Sequence, residues 1–144
     1  MSLNPLSEVK YRYRLAVEQL ERAERLSSLR DWVGAVSSSQ MAVENFAKAV
    51  IAVFEVPTWS HDPSNQLKSL VERLPAGLAE DVWELAVAAR EMAPEHGRST
   101  YGEPSAGLTP ADIYREEHGA DALEKAGKAR VIVERVLNRL KVKV

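Results

Sequence analysis

Apolar residues recur every three or four positions along most of this chain, which is the spacing of one face of an α-helix. A first helix is predicted from the candidate cap Ser7 to about Leu29. A second is predicted from about Trp32, after the cap Asp31, to Glu55. Because alanines fill much of the second segment, it is predicted to be the slim, most buried helix of a bundle. Its seam alternates spacings of four and three residues and consists of Trp32, Val36, Ser39, Val43, Phe46, Val50 and Val53.

Prolines divide the middle of the chain. A third helix is predicted to start at Pro63, which suits the first helical position, and to stop before Pro75. A fourth is predicted over residues 78–92. Since a residue before proline is biased away from helical geometry, Ala93 is expected to leave the helix. Residues 94–108 lack periodicity and are predicted to form a long loop, of the kind that often carries function or moves.

Helical signals return at Thr109, a candidate cap followed by proline, and predict a short helix. Gly119 is expected to break or kink the chain before a last helix over residues 120–141. No stretch alternates with the period of a β-strand. Residues 1–144 are therefore predicted to form one domain, an all-α, antiparallel up-and-down bundle of four long helices plus one short helix.

Composition narrows the class of protein. Of the 144 residues 45% are apolar, and none is cysteine, so neither disulfides nor cysteine-based metal sites are expected. No apolar run approaches the roughly 20 residues of a membrane span, and the N-terminus reads as no signal segment. We therefore expect a soluble, cytoplasmic protein with no membrane partner. A net charge of −2 is not that of a protein that coats nucleic acid through bulk charge.

Several chemistries lack their sequence signatures. No Gly-rich loop joins a strand to a helix, so no dinucleotide or P-loop site is predicted. His61, His96 and His118 lie far apart in the sequence, and none has a ligand partner at metal spacing on the same helix face. We therefore expect no metal and no cofactor. His61 stands beside a helix cap, where a turn or packing role is the commoner one.

The strongest chemical signal surrounds Pro94. Arg90 and His96 would lie on different faces of a straight helix, but a bend at the proline would let them share a cleft. Arginine grips phosphate and histidine transfers protons near neutral pH, so both are candidate catalytic residues for RNA cleavage without a metal. Arg98 is a candidate phosphate contact, and Tyr101 a candidate platform for stacking on a base. The alternative is structural: Arg90 neutralises the helix C-terminus, and His96 caps it or faces solvent.

Three features of this chain occur together in a known family. Polar residues mark the slim second helix, a Ser-His-Asp turn follows at residues 60–62, and residues 95–102 read Glu-His-Gly-Arg-Ser-Thr-Tyr-Gly. With residues 109–114 and an alanine-rich last helix, these features resemble the HEPN domain (higher eukaryote and prokaryote nucleotide-binding) family, in particular its stand-alone archaeal and bacterial members. The resemblance covers nearly the whole chain. The residues that carry it on the second helix are Gln40, Glu44, Ala47 and Lys48.

The resemblance implies an all-α bundle that commonly forms a homodimer. Active members are metal-independent endoribonucleases in which an Arg is followed, after four to six residues, by a His, and two such motifs meet across the dimer. Arg90 and His96 match that spacing. Many members also pair with a small nucleotidyltransferase in toxin–antitoxin systems. The alternative function is therefore a non-catalytic module that binds a nucleotide or such a partner; the acidic Glu91 and the negative net charge favour it.

Overall fold

A computed structural model describes residues 4–144 of the chain. Within this range the backbone forms four long α-helices and three short ones. The long helices are α1 (Pro5–Ser28), α2 (Trp32–Phe54), α4 (Ala76–Met92) and α7 (Glu116–Arg139). The short ones are α3 (Ser64–Val71), α5 (Glu95–Tyr101) and α6 (Pro110–Ile113), with a 3-10 turn at Pro104–Ala106 between α5 and α6.

The all-α bundle is confirmed. No strand occurs among residues 4–144, where the one β-type pairing is an isolated bridge between Glu103 and Leu108. The structure adds more short helices than the sequence pattern predicted. No helix in the described range is both long enough and apolar enough to cross a membrane.

Helix α2 lies at the centre of the bundle, against α1, α7, α4 and α5. From residue 42 to residue 52 every position is buried, so the helix is enclosed on all its faces. The predicted burial of this helix is therefore confirmed. Phe46 is fully buried within it and meets the Tyr13 ring of α1 edge-on, with 6.0 Å between ring centroids. Because the enclosure is complete, the polar residues of α2 must find partners inside the protein.

The prediction that residues 94–108 form a loop is wrong over its first half. Ala93 (φ −53°, ψ −44°) and Pro94 (φ −60°, ψ −24°) both keep helical geometry, and α5 begins directly after them. The bias against a helical residue before proline is only a preference, and proline fits the first turn of a helix because it has no N–H to satisfy there. A hydrogen bond from the His96 N–H to the Ala93 carbonyl (3.1 Å) tightens the junction. The chain therefore passes Pro94 as a nearly continuous helix.

The expected break at Gly119 is also wrong, because α7 begins at Glu116 and runs through this position. A Cβ built on Gly119 would lie 2.8 Å from Cε3 of Trp32, so the residue is small because a ring of α2 packs against it. His118 closes the start of α7, where its Nδ1 accepts a hydrogen bond from the Arg115 N–H (2.8 Å). His118 thus has a capping role.

Local chemistry explains the starts of α1 and α2 and the end of α5. Asn4, rather than Ser7, caps α1 and accepts the Ser7 N–H at 2.8 Å. Asp31 caps α2 as predicted. Gly102 ends α5 with φ +71°, and a Cβ there would lie 2.1 Å from the Leu108 carbonyl oxygen. Only glycine fits such a close approach, so this residue sets how the loop returns from α5 to α6.

We predict opposite effects on stability for alanine at two glycines of α7. Gly119→Ala should lower the free energy of unfolding by about 1–2 kcal/mol, since the added methyl group collides with the Trp32 ring. Gly127→Ala should raise it by roughly 0.5–1 kcal/mol, because a Cβ there meets nothing within 4 Å and alanine favours the helix. Urea unfolding followed by circular dichroism measures both. If both substitutions raise the free energy of unfolding, the Trp32 ring does not require a glycine at position 119.

Candidate functional site

A stripe of three polar side chains runs along one face of α2. Gln40, Glu44 and Lys48 follow each other at intervals of four residues, and their exposed fractions are 1%, 8% and 3%. The Lys48 ammonium donates to Glu44 Oε2 at 3.0 Å, and the Gln40 amide donates to Glu44 Oε1 at 3.1 Å. Burying a charge without a partner is costly, so the pairing of Glu44 with Lys48 is what permits this stripe inside the bundle.

Two histidine rings cover the stripe. His61 comes from the turn between α2 and α3, and its Nδ1 lies 3.1 Å from Glu44 Oε1. His96 comes from α5, and its Nδ1 lies 3.1 Å from Gln40 Oε1. The rings stack on each other, with 3.6 Å between centroids and 18° between planes. We call these five residues, Gln40, Glu44, Lys48, His61 and His96, the histidine cluster.

The hydrogen bonds assign the same tautomer to both histidines. A carboxylate oxygen and an amide oxygen only accept hydrogen bonds, so Nδ1 of His61 and of His96 must each donate. In the neutral rings Nε2 then carries the lone pair and is the atom left to take a proton or bind a ligand. The His61 side chain is 56% exposed, so the cluster opens to solvent on that side.

Electrostatics keep Glu44 ionised. Burial raises the pKa of this carboxyl, but the hydrogen bonds from Gln40 and Lys48, the Lys48 charge and the nearby His61 together outweigh burial. The net result is a pKa below the ordinary value of 4.5. A negative carboxylate therefore stays beside the His61 ring at neutral pH and holds its orientation.

The inward face of α4 and α5 positions His96. Ala89 and Met92 are buried, and His96 and Ser99 continue the same line at intervals of four and three residues. This line is continuous because the backbone stays helical through Pro94. His96 therefore points toward α2, as a core residue of that helical face does.

The turn that carries His61 is held by its neighbours. Ser60 Oγ accepts the Asp62 N–H at 3.0 Å, and Asp62 Oδ1 accepts the Ser64 N–H at 3.0 Å at the start of α3. Side chains of this type stabilise tight turns by bonding the backbone two residues on. The Ser-His-Asp turn thus places His61 above Glu44.

Arg90 lies on the outside of the same helix. It follows buried Ala89 by one residue, a rotation of about 100°, and its side chain is exposed. Within one chain Arg90 and His96 therefore occupy different faces, as on a straight helix. The loop that was expected to fold His96 back toward Arg90 is not formed, because Ala93 and Pro94 keep helical dihedral angles. The catalytic roles of both residues remain predictions.

Arg98 and Tyr101 have different surroundings. The Arg98 guanidinium contacts Glu103 at 2.9 Å and Glu95 at 3.7 Å, and lies 5.9 Å from the Tyr114 ring centroid. Tyr114 donates a hydrogen bond to Glu95; burial first, and then this carboxylate, raise the pKa of the phenol. Arg98 therefore ties α5 to the following loop, whereas Tyr101 is 74% exposed and open to a ligand.

Comparison with known families agrees with this architecture. Residues 9–142 match the HEPN domain family, nearly the whole chain. This chain belongs to the HEPN domain family. Comparisons with curated proteins and with solved structures found no match. The matched range contains every residue of the histidine cluster in this HEPN domain, together with Arg90, Arg98 and Tyr101.

The sequence points to all five members of the histidine cluster but does not predict that they meet. Spacing along the chain keeps the histidines apart, yet His96 and Gln40 meet across 56 residues. A usable signal was present in α2, where Gln40, Glu44 and Lys48 repeat at helical spacing inside an otherwise apolar helix. Polar residues on such a face must pair with polar residues of another element.

We predict that the Glu44–Lys48 pair contributes stability that acid removes. Because the folded pKa of Glu44 is lowered, its contribution is complete above the ordinary value of 4.5 and is lost as pH falls through the folded pKa. Glu44→Gln should cost about 3 kcal/mol at pH 7, since it leaves the Lys48 charge buried and unpaired. The cost relative to wild type should shrink below about pH 4.5 in urea unfolding experiments.

An exposed pair of the same spacing supplies the control. Lys128 and Glu124 lie 3.1 Å apart, with side chains 67% and 64% exposed. Glu124→Gln should change the free energy of unfolding by less than about 0.5 kcal/mol. Equal losses of stability for Glu44→Gln and Glu124→Gln would contradict the claim that burial makes the Glu44–Lys48 pair the more important one.

Proposed function

We propose that this HEPN domain cleaves RNA without a metal ion and that His96 and His61 carry the proton transfers. The observation that supports this is the pair of stacked imidazoles, each held through Nδ1 by a buried partner. Two imidazoles at van der Waals distance suit a reaction that needs a base and an acid at once. Neither proton transfer requires a bound metal.

The proposed reaction is an internal transfer of the RNA phosphate. His96, beside the neutral Gln40 amide, removes the proton of the 2′-hydroxyl as this oxygen attacks phosphorus. The P–O2′ bond forms, the P–O5′ bond breaks, and His61 gives its proton to the leaving 5′-oxygen. The Glu44 carboxylate accepts the Nδ1–H of His61 and orients this ring, and the proposal assigns His61 the role of the acid. The products are a 2′,3′-cyclic phosphate and a free 5′-hydroxyl.

The negative charge that builds on the non-bridging phosphate oxygens in this reaction calls for a cation. Arg90 is the candidate, and in the proposal a second copy of the chain supplies it, because within one chain it faces away from His96. Tyr101, next to this face and 74% exposed, is the candidate platform for a base.

An exposed stripe on α4 and α5 supports the dimer in this proposal. Its members recur at alternating intervals of four and three residues, the spacing of a helix–helix seam. In this proposal two copies pack antiparallel along this stripe, about a two-fold axis, and Arg90 of each copy extends from the contact toward the histidine cluster of the other copy. The stripe consists of Trp83, Val87, Arg90, Pro94, Gly97 and Tyr101, each of them exposed.

A second candidate function is a non-catalytic module that binds a nucleotide or a small nucleotidyltransferase. The contacts of Arg98 favour it, since Glu95 and Glu103 already neutralise this cation. The ion pair of Glu91 with Lys125 (3.5 Å) favours it as well. It holds a carboxylate of α4 in place next to Arg90, where a negative charge disfavours the binding of an RNA phosphate. Saturable nucleotide binding without cleavage, or a nucleotidyltransferase that co-purifies, is the outcome expected for this candidate.

We predict that the purified protein cuts a fluorogenic RNA oligonucleotide in the presence of EDTA. His96→Ala and His61→Ala should each reduce the rate by about 100-fold or more, because each removes one proton transfer. His118→Ala is the matched control, since His118 caps α7 through the Arg115 N–H, and it should stay within about twofold of wild type. Cutting that survives both site substitutions would reject the histidine pair as the source of activity.

We predict that mixing two inactive variants restores cleavage if the site spans two copies. In a mixed dimer of Arg90→Ala and His96→Ala, one of the two sites contains both an intact Arg90 and an intact His96. Random mixing should therefore recover about a quarter of the wild-type rate. Light scattering should first show that both variants are dimeric. If the mixture then recovers no activity, either Arg90 and His96 act within one chain or Arg90 does not belong to the site.

The stripe itself has a separate test. Trp83→Glu should convert the dimer to a monomer in light scattering, because it places a charge in the apolar contact. Tyr11→Glu serves as its control, since Tyr11 is 54% exposed on α1, a helix that packs against α2 and α7, and this variant should remain a dimer. A monomeric wild type at micromolar concentration would contradict the two-copy site.

A further inference from the structure

We propose that Glu44, His61 and His96 form a binding site for a divalent transition-metal ion such as Zn²⁺. Each residue offers one ligand atom, and the three atoms lie within 4.8 Å of one another. This site follows from the arrangement of side chains alone and does not depend on whether the domain cleaves RNA. It contradicts the expectation from sequence spacing, which brought no two of these residues together.

The donor set suits zinc and its neighbours. Two imidazoles and one carboxylate are a common set for zinc sites that keep a fourth position open. His61 is half exposed, so that fourth position would face solvent. Imidazole nitrogen favours Zn²⁺, Co²⁺, Ni²⁺ and Cu²⁺, whereas Mg²⁺ and Ca²⁺ need several oxygen ligands. The Lys48 ammonium beside Glu44 further disfavours cations that depend on negative charge.

Small movements would close the site around an ion. Zinc bonds of 2.0–2.1 Å place tetrahedral ligand atoms about 3.4 Å apart, so a separation at the 4.8 Å limit must shrink by about 1.4 Å. The two rings are now nearly parallel and must also turn so that their lone pairs converge. His61 is the ring that can turn, because it sits on a turn with 56% of its side chain exposed. Its rotation also releases Glu44 Oε1, to which it now donates.

The surroundings already resemble the outer shell of a metal site. His96 donates its Nδ1–H to Gln40 Oε1, which leaves Nε2 as the ligand atom and fixes the ring. Gln40 and Lys48 both donate to the Glu44 carboxylate. Metal-binding histidines and carboxylates are generally oriented by such second hydrogen bonds. Gln40 is 1% exposed and serves two of the three ligands, so the site is built from inside the bundle.

The test is a titration of the metal-free protein with Co²⁺, followed by its visible absorption, and competition with Zn²⁺. We expect one equivalent to bind with the bands of a four- or five-coordinate ion, and Zn²⁺ to abolish them. His61→Ala and His96→Ala should each weaken binding by about 100-fold or more, since each removes a ligand. Mg²⁺ at the same concentration should leave the spectrum unchanged.

The chain supplies its own control because its third histidine lies elsewhere. His118→Ala should bind Co²⁺ as wild type does, and circular dichroism should confirm that all three variants are folded. Equal binding by wild type and His61→Ala, loss of binding in His118→Ala, or no binding at micromolar Co²⁺ would overturn the proposal. The titration contains no RNA, and the cleavage assay contains EDTA, so the failure of one proposal is distinguishable from the failure of the other.

Discussion

The buried ion pair between Glu44 and Lys48 fixes the arrangement at the centre of this domain. Both charges sit on a stretch of α2 that is enclosed on every face, so each depends on the other for its neutralisation. One carboxylate oxygen is held by Lys48, and the other accepts from Gln40 and His61. Through its Oε1 atom the pair also contacts the histidine of the turn after α2.

Stability alone does not account for such a pair. Apolar residues of similar volume commonly replace buried ion pairs without loss of stability, whereas removal of one partner is strongly destabilising. The pair is better explained by what it positions. Glu44 and Gln40 hold one imidazole each, and they do so on a helix that cannot move without unpacking the bundle. A rigid element under the functional groups is the arrangement that precise chemistry or ligand binding requires.

Much of the fold was predictable because it depends on local periodicity. The burial of α2 follows from its apolar seam and its alanines, and Asp31 caps it as the sequence indicates. Helix ends near proline and glycine were less predictable, because the same residue type can end a helix or be accommodated within one. Gly119 looks like a helix breaker but instead admits the Trp32 ring, and only the packed structure separates these uses.

The histidine cluster was out of reach for a different reason. Periodicity states which face of a helix a residue occupies, but it does not state which elements meet. His61, His96 and Glu44 come from a turn, a short helix and the central helix, so their meeting is a property of the tertiary fold. The resemblance in sequence pointed to the same segments without indicating that they touch.

The helical backbone at Ala93 and Pro94 affects how a site can be completed. A bent corner would have put Arg90 and His96 into one cleft of one chain. A helix that continues separates them by its own geometry, sending the imidazole toward α2 and the guanidinium to the surface. In the proposed function, Arg90 acts on a phosphate at the histidine cluster of a second copy. In the proposed function, association is therefore a condition for chemistry, and the proton-transferring residues are in place before it occurs.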